Sequence, residues 1–283
     1  MKATMIIDAH HHLWRYSPNE YPWIGEGDLA LRRDFGLVEL HAELDAAGVT
    51  RTIAVQARQS LDETRWLLDL AAESGRIVGV VGWAPLADPG IGDFLDSLGE
   101  PRLVSLRHVV QDEADPEFLL RPAFAQGLAA LPSRCIAYDL LAKPAQLPMA
   151  IACVDAHPML RFVVDHAAKP DFSGGASAFE SWARDMRALA ERPTVYCKFS
   201  GLALEAGPVW SVEMLRPVFD LLLESFGPSR LLFGSDWPVC LLATSYSRWL
   251  EAFRALIETL SETEKASVLG QSARRAYRLE DLL

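Results

Sequence analysis

Near the start of the chain, Ile6-Ile7-Asp8-Ala9-His10-His11-His12 is an apolar run that stops on reactive side chains; near its end, Leu231-Leu232-Phe233-Gly234-Ser235-Asp236-Trp237-Pro238 is built the same way. Runs apolar on both faces suit strands covered by protein on either side, as in a parallel sheet. The pattern recurs between the two. Eight such runs are legible, at residues 5–9, 52–56, 77–83, 103–107, 135–141, 161–165, 194–199 and 231–234. The stretches separating them carry apolar residues at helical spacing, as in Leu67, Leu70 and Ala71 or Leu215, Val218, Phe219 and Leu222. Eight strand–helix pairs without a repeated unit or a Gly/Pro/Ser-rich linker predict one closed (β/α)8 TIM barrel, an α/β fold, over residues 1–283 with no domain boundary.

The bulk properties agree with an enzyme of small molecules. A chain of 283 residues, 50% hydrophobic and 23% charged, has ample material for one large core. Its formal net charge of −11 and lack of clustered Lys and Arg argue against nucleic acid as a partner. No stretch approaches the roughly 20 apolar residues of a membrane span, and the first residues lack the apolar core of a secretion signal, so the expectation is a cytoplasmic protein with no membrane partner. Cys135, Cys153, Cys197 and Cys240 are far apart in sequence and read as buried thiols. Oligomeric state is not legible.

Chemistry concentrates at strand ends, where a barrel of this kind keeps its active site. Side chains alternate along a strand, which predicts Asp8, His10 and His12 on one face and places two imidazoles side by side. On its own an H-x-H pair suits a hydrogen-bonded cluster as well as a metal. Two further ends supply what hydrolysis needs: Phe162-Val163-Val164-Asp165-His166, followed by Lys169, and the Gly234-Ser235-Asp236 turn. Three such ends together favour one reactive centre. A long irregular segment after the first strand, residues 13–34, carries Trp14, Tyr16, Tyr21 and Trp23 and belongs to the same face of the barrel.

The chain resembles the amidohydrolase-related family, in the branch whose members open sugar lactones. The likeness spans nearly all of it and rests on IDAHHHLW, YPWI, GVTRTIAVQA, SLRHVVQDE, YDLL, VVDHAAKP, CKFSGL and RLLFGSDWPVCLLATSY, the last being the most specific. It implies a distorted barrel that hydrolyses a small aldonolactone, with His10 and His12 as first-strand metal ligands, His166 as a further ligand or catalytic contact, and Asp236 as a ligand and the catalytic acid/base. A carboxylate beside an activated water can take its proton and return it to the leaving alkoxide. Expected substrate contacts are Trp14, Trp23, Gln56, Arg58, Arg107, His108, Tyr138, Lys169, Lys198 and Trp237. For Arg107 and Lys198 a barrel-interior ion pair is the rival reading, and for the tryptophans plain packing.

The resemblance implies at most one divalent metal, zinc for this donor set, because strand four ends in Leu106-Arg107-His108 with no lysine to bridge a second. Strand five offers Tyr138 and Asp139 where such enzymes usually place a histidine. A metal-free version therefore stays open, with Arg107, His108 and the first-strand histidines polarising the carbonyl while Asp236 activates water. Non-oxidative decarboxylation and lactone isomerisation are the alternative reactions for the same pocket.

Overall fold

The computed structural model describes residues 5–280 and residue 282. Strands β1 (Ile7–His11), β2 (Arg51–Val55), β3 (Ile77–Gly82), β4 (Leu103–His108), β5 (Ala137–Leu140), β6 (Phe162–Val164), β7 (Val195–Phe199) and β8 (Leu231–Phe233) form one parallel sheet in sequential order. Each lies within two residues of its expected run. The sheet closes into a barrel where the end of β8 meets β1: the Asp236 amide donates to His10 O (2.7 Å) and the His12 amide to Trp237 O (2.6 Å). The protein is a (β/α)8 barrel.

Helices α1 (Leu37–Ala47), α2 (Leu61–Ser74), α3 (Ile91–Leu98), α4 (Pro122–Ala129), α5 (Leu147–Ala156) and α6 (Gly175–Ala190) follow the first six strands. A short α7 (Leu202–Glu205) and then α8 (Val212–Phe226) follow β7, and α9 (Tyr246–Leu256) follows β8. The helical spacing read in the sequence is used as expected, with Leu67 and Ala71 of α2 and Leu215, Val218, Phe219 and Leu222 of α8 buried. The chain ends with α10 (Glu262–Ala266) and α11 (Ser272–Tyr277). Ala273, Ala276, Tyr277 and Leu279 join Ile7, Ile53, Val78, Val104, Val163 and Leu232 in the apolar interior. The C-terminal segment thus plugs the N-terminal mouth of the barrel and leaves the opposite mouth for chemistry.

No helix among the described residues is long and apolar enough to cross a membrane. Cys153, Cys197 and Cys240 are buried as expected, whereas Cys135 is exposed. Its sulfur lies 2.7 Å from the Arg278 guanidinium.

Candidate active site

β1 does not present its side chains by simple alternation. Its pairing with β2 slips between Asp8 and His11, leaving Ala9 and His10 opposite the single residue Ile53. A bulge of this kind re-aims side chains. It corrects the expectation that Asp8 shares a face with the two histidines. Ala9 belongs to the barrel interior, and His10 follows it inward. Asp8 turns away, accepting hydrogen bonds from the Ser235 amide (2.8 Å) and hydroxyl (2.6 Å) and from the Tyr246 hydroxyl of α9 (3.0 Å). Asp8 therefore ties β1 to the loop that carries Asp236.

On the floor of the barrel mouth, His10 Nε2 lies 3.1 Å from His12 Nε2, and Asp236 Oδ1 lies 3.6 and 3.3 Å from those two atoms. Ligand atoms of His10, His166 and Asp236 also fall within 4.8 Å of one another. Hydrogen-bond partners assign the protons. His12 Nδ1 sits 2.8 Å from Val55 O, which can only accept, so its proton is on Nδ1. His10 Nδ1 has the Asp165 carboxylate at 3.4 Å and the Lys198 ammonium at 3.3 Å. The His12 Nε2 lone pair then faces His10 Nε2 and a carboxylate oxygen, while His12 donates its other N–H outward to Val55 O. That is the arrangement of a cation site with its supporting shell, so the donor set fits one divalent metal.

The charge states follow from burial. Desolvation lowers both His10 and His166, keeping these imidazoles neutral near pH 7. Desolvation would raise Asp236, but His166, His12 and His10 together outweigh it and hold the carboxyl well below its ordinary value. Asp236 is thus an anion where these imidazoles meet.

Backbone strain aims these groups. His166, Ala167, Ala168 and Lys169 all have φ between 51° and 54°, a complete left-handed turn built without glycine. Left-handed helix costs L-residues roughly 1–2 kcal/mol each, so a four-residue turn must be held by its surroundings. Trp182 of α6 donates to Ala167 O at 2.8 Å, and the Ser200 hydroxyl meets His166 Nδ1 at 2.9 Å. Asp236 is left-handed too, at φ 58°. Three of these residues, His166, Lys169 and Asp236, line the cavity of the site.

Beneath this floor runs a buried ionic network. Lys198 Nζ pairs with Asp139 and, at 2.9 Å, with Asp165; Arg107 Nη1 pairs with Asp165 at 2.9 Å. Ser105 and Tyr277 hydroxyls cap Asp139 at 2.7 and 2.8 Å. Burial pushes Asp139 up, whereas for Asp165 the neighbouring Lys198, His10 and Arg107 outweigh burial and hold it well below the carboxylate range. Two carboxylates and two cations balance in charge, and Asp165 passes that support directly to His10.

A cavity of about 810 Å³ opens above the floor. Of the expected contacts, His12, Trp23, Arg58, Arg107, His166, Lys169 and Asp236 are on its wall. The others lie elsewhere. Trp14 is wholly buried, with its indole N–H donating to Arg33 O (2.9 Å) and its ring packed against Phe35, so it anchors the 13–34 segment instead of touching the cavity. Trp237 also packs edge-on against Phe35. Tyr138 stands on the outer face of β5, between Phe124 and Phe162, because alternation gives the inner face to Asp139. Gln56 donates to Arg107 O, and Lys198 has no exposed surface. His108 stacks on Phe118 and pairs with Glu113 at 2.7 Å, beside the cavity and not on its wall.

Some residues of the site escaped sequence reading. Gly201 lies against both His166 and Asp236, with φ +68°, and its only signal was its place in CKFSGL. Tyr277 reaches Asp139 from the far end of the barrel, a contact across 138 residues that no local pattern announces.

A parallel barrel with histidines and an aspartate converging at its C-terminal mouth is the framework of a hydrolytic enzyme. The chain belongs to the amidohydrolase family: the model described as Amidohydrolase matches residues 7–279. It is similar to an L-fucono-1,5-lactonase of Burkholderia multivorans, at 39% identity over 99% of this chain and 98% of that protein. A second L-fucono-1,5-lactonase, from Burkholderia ambifaria, is 36% identical over 98% and 97% of the two chains. Among solved structures, an amidohydrolase from Burkholderia multivorans with bound zinc superposes with a TM-score of 0.94 at 39% identity, covering 97% of this chain and 99% of that one.

Proposed function

We propose that this protein hydrolyses a neutral sugar lactone, an aldonolactone of the L-fucono-1,5-lactone type, to the open-chain acid. The observation that carries the reading is the Asp236 carboxylate, held anionic against the imidazoles of His10, His12 and His166 at the bottom of a cavity that can enclose one sugar. Two relatives alike over nearly their whole length are named L-fucono-1,5-lactonases, which supports the substrate class.

Asp236 takes a proton from water as the water oxygen adds to the lactone carbonyl carbon. When the ring C–O bond then breaks, Asp236 returns that proton to the departing alkoxide, and the hydroxy acid results. Arg107, fixed by Asp165, directs guanidinium donors at the cavity, while Arg58 and Lys169 offer hydrogen bonds to ring hydroxyls from opposite walls. Trp23, 43% exposed and set edge-on to Trp14, supplies an apolar surface for a sugar face. His10, His12, His166 and Asp236 would hold one divalent cation, and zinc there would supply Lewis-acid polarisation and a more acidic water.

The test is a proton NMR panel of aldono-1,4- and 1,5-lactones, run as prepared, after chelation and after zinc is restored. The expected product is the open acid, formed fastest from L-fucono-1,5-lactone or a stereochemical neighbour, with activity lost on chelation and regained with zinc. A second lactone as product would make the enzyme an isomerase, and release of carbon dioxide from a carboxylated substrate without lactone opening would make it a decarboxylase.

A further inference from the structure

Glu63 lies in the first turn of α2, three residues after Ser60, whose hydroxyl caps the helix by accepting from the Asp62 and Glu63 amides. A glutamate at this position ordinarily reaches back to the amide of the capping residue. Here it does not. The Ser60 amide bonds instead to Arg58 O, and the Glu63 carboxylate is free to reach further. One oxygen, Oε2, accepts from the Ala57 and Arg58 amides, both at 2.9 Å. The other, Oε1, accepts from the Tyr21 hydroxyl at 3.0 Å. Glu63 is 1% exposed and takes no part in the proton transfers above.

The three donors come from two segments that are far apart in sequence and both line the cavity: Asn19, Glu20, Pro22 and Trp23 surround Tyr21, and Arg58 and Gln59 follow Ala57. Arg58 is held across the same junction, its Nη1 2.7 Å from Glu20 Oε1 and its guanidinium 5.4 Å from the Tyr21 ring centroid. We infer that Glu63 is a positioning residue that clasps the 13–34 segment to the β2–α2 loop and thereby sets Arg58 and Trp23 at the spacing a sugar lactone requires. Buried carboxylate–amide bonds are the stronger, charge-assisted kind, and an orphaned backbone N–H in a buried place is costly, so the clasp is held at both ends. Its functional half rests on the lactonase reading; its structural half does not.

The test uses Glu63→Ala, Glu63→Gln and Tyr21→Phe in the full chain. Hydrogen exchange reads the clasp without substrate. Glu63→Ala is expected to speed exchange of the Ala57 and Arg58 amides and of residues 19–23 by about tenfold or more, as loss of roughly 1.4 kcal/mol of local stability implies. Glu63→Gln, whose amide oxygen can still accept two N–H groups, should restore most of that protection. Tyr21→Phe should loosen residues 19–23 and leave Ala57 and Arg58 protected. With L-fucono-1,5-lactone, Glu63→Ala is expected to raise KM about tenfold with kcat within about threefold, the mark of lost binding without lost chemistry. Unchanged exchange in both Glu63→Ala and Tyr21→Phe overturns the clasp. A fall in kcat at constant KM overturns the positioning role. If wild type opens no lactone, the lactonase reading fails while the exchange arm still decides the clasp. If Glu63→Ala does not fold, Tyr21→Phe alone decides it.

Discussion

Gly201 and His166 approach so closely that a Cβ on Gly201 would lie 2.6 Å from His166 Nδ1, and 3.0 Å from Asp236 Oδ2. Gly201→Ala therefore forces apart two groups of the proposed hydrolytic site, and does so at φ +68°, where alanine is strained. The expected result is a fall in kcat/KM of about 100-fold, since misplacement by an ångström has that effect, with a stability loss of about 2–3 kcal/mol from the strained backbone and the crowding. Lactone hydrolysis assays paired with urea denaturation measure both.

Lys198 is expected to matter more for folding than its distance from the cavity suggests. Lys198→Met removes the cation between Asp139 and Asp165 and leaves Asp165 with Arg107 alone, a change worth about 3–5 kcal/mol. Urea denaturation should show it as a lowered midpoint. Adding Asp139→Asn to Lys198→Met should recover part of the loss, and a double variant no more stable than the single one would separate Lys198 from that pair.

Asp236 gives a pH dependence whose sign is set by its neighbours. Its carboxyl is held below its ordinary value of 3.8 in the folded chain, so it binds a proton less readily there than when unfolded. The stabilisation it contributes is complete above pH 3.8 and is lost as the pH falls below that. Thermal melts of chelated protein should show Asp236→Asn with a flatter acid limb than wild type. The same low value keeps the proposed base ionised, so kcat/KM should not decline through loss of Asp236 until the pH is below the usual aspartate range.

Why some of the site was legible and some was not follows from chain geometry. Each of the eight strands is a local apolar run, so the barrel could be read off, and strand ends such as Asp165–His166 and Ser235–Asp236 announce themselves by the change from apolar to polar. His10, His12, His166 and Asp236 do converge. Facing was harder. Period-two alternation assigns Asp8 to the wrong side of β1 because a bulge adds one residue between Asp8 and His11. Nearness in sequence misled as well: Trp14 lies two residues after His12 and Trp237 directly after Asp236, yet both pack onto Phe35. Glu63 and Tyr277 act across 42 and 138 residues, and only the closed barrel brings them to their partners.

The most direct measurement follows L-fucono-1,5-lactone by proton NMR with wild type and Asp236→Asn, with zinc content and folding checked in both. If Asp236 carries the proton from water to the leaving alkoxide, the folded variant opens the ring about a thousandfold more slowly than wild type, within the 10²–10⁴ range of a lost acid/base. A folded Asp236→Asn protein that releases the open acid at the wild-type rate would contradict the assignment.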